Sequence, residues 1–177
     1  MRSPLIVAGF LLVASAALAQ QAPYAGMQTR PIKALSDDQV ADLKSGRGMG
    51  LALAAELNGY PGPSHVLALA EKLALSADQR TKVQHLFDSM KAEALQVEAK
   101  LIEQESELDR LFASRTVTPD SLKGAAAAIA LTQGELRETH LKYHLFTVAL
   151  LNQDKIRRYS ELRGYADGHP RGMRHHN

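Results

Sequence analysis

The chain contains no cysteine, which excludes disulfide frameworks and thiolate metal sites. That absence suits an oxidising compartment, where no thiol is left to mispair. Any metal must then be held by imidazole, carboxylate or thioether. Net charge is nearly absent too, at +2 over 177 residues, so the balance gives no reason to expect nucleic acid or an anionic membrane as partner. Aromatic residues make up only 5% of the chain, too few for a thick core. After the first nineteen residues no apolar run approaches the ~20 residues that a bilayer crossing needs. Signatures of catalysis are also missing. There is no cysteine nucleophile and no Gly-x-Ser-x-Gly elbow, and His140 is followed by Leu141 rather than the glutamate of a zinc protease. Gly46-Arg47-Gly48-Met49-Gly50 lacks the Gly-Lys-Ser/Thr ending of a phosphate loop and reads as a turn. The chain is therefore expected not to be an enzyme.

What is present begins with an export signal. Arg2, the uncharged apolar run from Leu5 to Leu18, and Ala17-Leu18-Ala19 as a small-x-small site predict a signal peptide over 1–19, cleaved before Gln20. Removing nineteen residues, Arg2 among them, from the 177 with charge +2 leaves 158 with charge +1, enough for one domain. The expected product is periplasmic, with no membrane anchor after cleavage. Residues 20–35 mix Gln, Pro, Gly and Thr without periodicity and read as a disordered leader. A helical domain is expected over 36–165. The flexible tail, 166–177, carries His169, Met173, His175 and His176, a composition that binds metals without specificity.

Helix boundaries are marked by caps. Ser36 with Gln39 predicts a capping box opening a short helix that stops at Gly46, and Leu51 to Leu57 a second, ended by Asn58-Gly59. Pro61-Gly62-Pro63 breaks the chain before Ser64, the expected cap of a brief helix through Leu73. A long helix is expected over 77–113. Measured from Met90, Val83, Leu86, Ala94, Val97, Leu101, Leu108 and Phe112 fall within about 40° of one line, with Lys91, Lys100, Glu105 and Asp109 elsewhere. Thr118 caps the next helix, with Pro119 at its first position, and this helix runs to about Ala149. A last helix is expected from Gln153 to Arg163.

Helices of these lengths reach about 55 and 46 Å, whereas a compact domain of this size has a radius of gyration near 15 Å. The fold expected is all-α: a long antiparallel hairpin with short flanking helices. One stripe per helix and few aromatics make a thin core, for which self-association as a homodimer is the simplest remedy.

His140 and His144 stand four apart on the second long helix, so their imidazoles share a face within reach of one ion. On a helical wheel they fall on the apolar stripe with Leu122, Ile129, Leu136, Leu151 and Gln133, where an unpaired polar group is costly. Metal binding and two hydrogen-bonded packing histidines both satisfy that position. Zinc, nickel, cobalt or copper would suit the donors, with none obligatory. Two histidines make a weak site, which a carboxylate, His65 or a second subunit would have to complete.

The most distinctive pattern is Leu75-Ser76-Ala77-Asp78-Gln79, a leucine and then a capping box, repeated in degenerate form as Leu151-Asn152-Gln153-Asp154-Lys155. In the second copy Asn152 is a good cap, but Lys155 cannot return the bond. Two such copies around a helical hairpin, behind an export signal, resemble the LTxxQ motif of the periplasmic Spy/CpxP family, whose relatives include ZraP and the CnrX-type heavy-metal sensors. The resemblance spans roughly residues 64–165. It implies a cradle-shaped dimer and an ATP-independent, chaperone-like stress protein that binds unfolded or periplasmic client polypeptides, with metal as a modulator and a signalling partner as a further option. The alternative it implies is a heavy-metal resistance or sensor protein. Against the CnrX pattern, His140 and His144 match the late ligand pair in kind, and His65 falls near the first early histidine. The second early position holds Leu69 or Ala70, and the glutamate position falls at about Phe87, next to Asp88. Asp88 and His85 are expected to face water.

Overall fold

The computed structural model describes residues 23–165, and over these the chain is helical throughout, with no strand. A 3-10 turn at Met27–Thr29 precedes α1 (Asp37–Lys44), α2 (Leu53–Glu56), α3 (Pro63–Ala68), α4 (Ala77–Ala113), α5 (Pro119–Val148) and α6 (Gln153–Leu162). The expected signal peptide and the histidine tail lie outside the described residues. Among the described residues no helix is long and apolar enough to cross a membrane.

Caps define these boundaries as expected. Ser36, Ser76 and Thr118 each open a capping box, with Gln39, Gln79 and Ser121 returning the bond, while Asn152 accepts from the Lys155 amide alone. Ser64 does not act as a cap. α3 starts two residues earlier than a Ser64 cap implies, with Pro63 as its first residue and Gly62 before it, and it ends at Ala68 rather than Leu73. Proline at the first position needs no amide partner there, so the helix starts without a side-chain cap.

α4 and α5 pair antiparallel. Glu93 meets Lys142 at 2.6 Å and Lys100 meets Glu135 at 3.1 Å, so seven residues forward on α4 match seven back on α5. Ala94, Val97 and Leu101 pack against Ile129 and Leu136, and Leu43 of α1 completes that core from one side. A second core gathers Val66 and Ala70, Leu73 and Leu75, Val83 and Tyr159, so α6 folds back onto α3 and the start of α4. The short helices thus cover one side and one end of the hairpin. At the far end Ile32 is buried and Lys33 bonds Asp109 at 3.1 Å, so the leader touches the hairpin from at least that point.

The two copies of the leucine-cap pattern meet. Gln79 donates to the Leu150 carbonyl at 2.8 Å, and Lys155 donates to the Leu73 and Ala74 carbonyls at 2.7 and 2.6 Å. Lys155 cannot close its own capping box, but it satisfies the turn that leads into the other copy. Leu75 is buried and Leu151 is half-buried beside the same core.

Several positions depart from the wheel. Phe112 is exposed near the hairpin tip, and Leu122 and Gln133 face outward on α5. Glu105, expected on the polar side, is buried, and so is Glu98. The sealed face of α5 runs instead through Thr132, Leu136, Thr139, His140, Tyr143, His144 and Thr147.

Candidate functional site

Where α5 passes beneath the loops flanking α2, a cavity of about 450 Å³ is walled by His65, His140, His144 and Glu56, with Met90, Phe87 and Met49 as its softer lining. Three separate elements supply the four polar groups. α5 carries the histidine pair on its buried face, α3 carries His65, and α2 carries Glu56. The loop from Gly46 to Gly50 closes one rim, turned by positive φ at Gly46, Met49 and Gly50.

His140 and His144 are both buried. The Nδ1 of His144 lies 2.5 Å from the Tyr60 carbonyl, an acceptor only, so Nδ1 is the donor in that bond and Nε2 is the nitrogen left for a ligand. Among the described residues His140 has no such partner, and its Nε2 is buried with no hydrogen bond. Burial, and then the neighbouring His144, hold the His140 imidazole below its usual range, in the neutral form that ligates metals.

Two glycines let the backbone approach these rings. A β-carbon on Gly62 would stand 2.7 Å from both Cε1 and Nε2 of His144, and one on Gly48 would stand 3.2 Å from Nδ1 of His140. Gly62 has an ordinary extended backbone, φ −84° and ψ 154°, so the reason for glycine there is space rather than conformation.

Glu56 is the group that the sequence did not reveal. It is only 5% exposed, yet its carboxylate is heavily bonded. Oε1 accepts from Tyr159 Oη, from Tyr165 Oη at 3.2 Å and from His65 Nδ1 at 3.1 Å, with Arg163 Nε 3.6 Å away. Oε2 accepts from the Gly62 amide at 3.2 Å and lies 3.8 Å from His144 Nδ1. Burial alone would raise this carboxyl, but the bonds from His65, Tyr159 and Gly62 outweigh it and bring it down to about 2. A fixed anion therefore stands beside two of the three imidazoles, those of His65 and His144. Its only sequence signal was a glutamate inside an otherwise apolar short helix, and the donors that pair with it come from as far away as Tyr165.

Of the expected site residues, His140, His144 and His65 come together. Asp88 and His85 are exposed, as expected, and lie outside the cavity. Among the described residues no three His, Asp or Glu side chains already converge as a metal cage. The donor chemistry nevertheless fits a borderline ion: three imidazoles, one of them unpaired among the described residues, a carboxylate, and the Met90 thioether in the wall. Coordination needs His65, whose side chain is 45% exposed, to swing from Glu56 toward the cavity.

Comparison with family models, with curated proteins and with solved structures finds no match.

Proposed function

We propose that this is an exported helical-hairpin protein of the Spy/CpxP type that binds a divalent transition metal in the histidine cavity, as a metal-responsive stress, resistance or sensor protein. The observation that carries the reading is the gathering of three imidazoles and a buried carboxylate from three elements around one cavity, one imidazole nitrogen being sealed in without a partner among the described residues. An unpaired buried polar atom costs on the order of 1–3 kcal/mol, and ligation or a proton acceptor is what removes that cost. His140, His144 and His65 would hold the ion, with zinc, nickel, cobalt and copper as the matching class. The ion would supply cross-linking of α5 to α3, not catalysis.

The experiment is a thermal-shift series with zinc, nickel, cobalt, copper and magnesium. Binding to the folded state raises the melting temperature by mass action. The transition metals should raise it and magnesium should not. His140→Ala and His144→Ala should each remove most of the shift, whereas deletion of residues 169–177 should leave it. A shift that vanishes with the tail and survives both substitutions would make the two histidines packing residues.

The outer side of α5 favours a second reading, binding of client polypeptides by a homodimer without ATP. Leu131, Leu145 and Phe146 are 71%, 57% and 49% exposed there, apolar side chains open to a client chain. An aggregation assay tests it: the protein at equimolar ratio should delay aggregation of an unfolded client, and Leu131→Glu with Leu145→Glu should abolish the delay. Unchanged aggregation at several-fold excess would end that reading.

A further inference from the structure

We infer that Glu56 is the anionic ligand completing the histidine site, and that the metal takes it from α6, so that metal occupancy and the docking of α6 oppose one another. This rests on the metal reading above, and it adds both a ligand and a mode of response.

Glu56 Oε1 is crowded. A carboxylate oxygen offers about two lone-pair directions, yet three donors bond this one, and the Arg163 guanidinium stands just beyond. Three of those four groups, Tyr159, Arg163 and Tyr165, belong to α6 or to the turn that follows it. Oε2 faces the other way, toward the Gly62 amide and the His144 ring. The carboxylate is therefore shared between an α6 clamp on one oxygen and the histidine wall on the other.

A divalent ion changes that balance. Two or three neutral imidazoles leave its charge uncompensated, Arg47 and Lys91 in the lining add to the positive charge, and Glu56 is the only carboxylate among the described residues that line the cavity. Once the carboxylate charge is drawn to a cation, Oε1 becomes a weaker acceptor for the Tyr159 and Tyr165 hydroxyls, and Arg163 faces like charge. α6 is joined to the body chiefly through Tyr159 in the core and Lys155 on the Leu73 and Ala74 carbonyls. Weakening the Tyr159 bond loosens its C-terminal half while Lys155 still holds the N-terminal end. Linkage is reciprocal, so a change that frees Glu56 from α6 must tighten metal by the factor that metal loosens α6.

Zinc titration by calorimetry on the full chain, with hydrogen exchange of residues 153–165, tests both parts. Glu56→Gln should weaken zinc at least tenfold. Tyr159→Phe, which leaves the carboxylate in place, should tighten it three- to tenfold, and zinc should speed exchange over 153–165 in the wild type. Should Glu56→Gln fail to fold, Glu56→Asp, which keeps the charge but shortens the reach, should still weaken zinc. Wild-type affinity in folded Glu56→Gln would overturn Glu56 as ligand while leaving the histidine site standing. Unchanged zinc affinity in Tyr159→Phe, with unchanged α6 exchange, would overturn the coupling. No zinc binding by the wild type would instead overturn the metal reading itself.

Discussion

Glu56 and Glu98 are both carboxylates sealed inside the protein, and their surroundings drive them in opposite directions. Glu56, surrounded by donors, stays ionised down to about pH 2. Glu98, 1% exposed beneath α1, has neither oxygen in a good hydrogen bond, and the nearby Gly46 amide only partly offsets a burial that pushes its carboxyl up to about 7. Because the folded pKa of Glu98 is raised above the ordinary 4.5, the folded state holds the extra proton between those values. Its contribution to stability is full below about pH 4.5 and is lost as pH rises through about 7, a change of roughly 3 kcal/mol. Glu56 works the other way: its contribution is present above pH 4.5 and disappears as pH falls toward 2. Melting curves of the wild type and Glu98→Gln at pH 5 and pH 8 should differ in sign of advantage, with the wild type gaining relative to the variant at pH 5. An equal gap at both values would mean that Glu98 is solvated. Gly62 gives a second residue-scale prediction. Gly62→Ala fits the backbone but forces a methyl against the His144 ring, and overpacking of this kind costs about 1–3 kcal/mol. Adding His144→Ala should recover most of that loss in chemical denaturation, and equal losses in both backgrounds would refute the contact. None of these three sites was legible in the sequence, because each depends on partners from other elements. Glu98 lies under α1 some fifty residues away, and Glu56 is paired by Tyr159 and Tyr165, both of α6 and its following turn.

Elements were far more legible. Capping boxes at Ser36, Ser76 and Thr118 are local devices, written within four residues, and they place the starts of α1, α4 and α5 where the sequence implies. The buried face of α5 was harder to see. Thr132, Thr139 and Thr147 occupy it, and threonine counts as polar on a wheel although its methyl packs and its hydroxyl can turn back, as Thr147 does to the Tyr143 carbonyl at 2.7 Å. Leu122 and Phe112 misled in the opposite sense, since apolar residues near the hairpin tip have no short helix to cover them. The repeated leucine-cap pattern revealed two helix starts but not that the copies touch. At this scale Lys155→Met is the informative variant. It keeps the alkyl stem and removes two charge-assisted bonds to the Leu73 and Ala74 carbonyls, so unfolding by urea should show a loss of about 1–3 kcal/mol. A loss within 0.5 kcal/mol of zero, the range of ordinary surface changes, would mean that α6 docks without it.

At the scale of the whole molecule, an all-α hairpin with short flanking helices follows from length and periodicity, because helices this long cannot be folded into a compact ball. Covering is uneven: α1, α2, α3 and α6 lie on one side or end, while α5 shows Leu131, Leu145 and Phe146 to solvent. The histidine cavity sits where this cover is stitched from loops rather than helices, between α1 and α3, and such joints are where a ligand can rearrange the fewest contacts. The site was half legible: His140 and His144 from their four-residue spacing, His65 only through the family resemblance, and Glu56 not at all. The metal reading and the coupling to α6 both turn on whether that cavity takes an ion. Calorimetric titration of zinc into the wild type and into the His140→Ala/His144→Ala double variant at pH 7.5 tests it most directly. One ion per chain in the wild type and none in the double variant is the result this account predicts. Absence of binding to the folded wild type, or equal binding by both proteins, would contradict it.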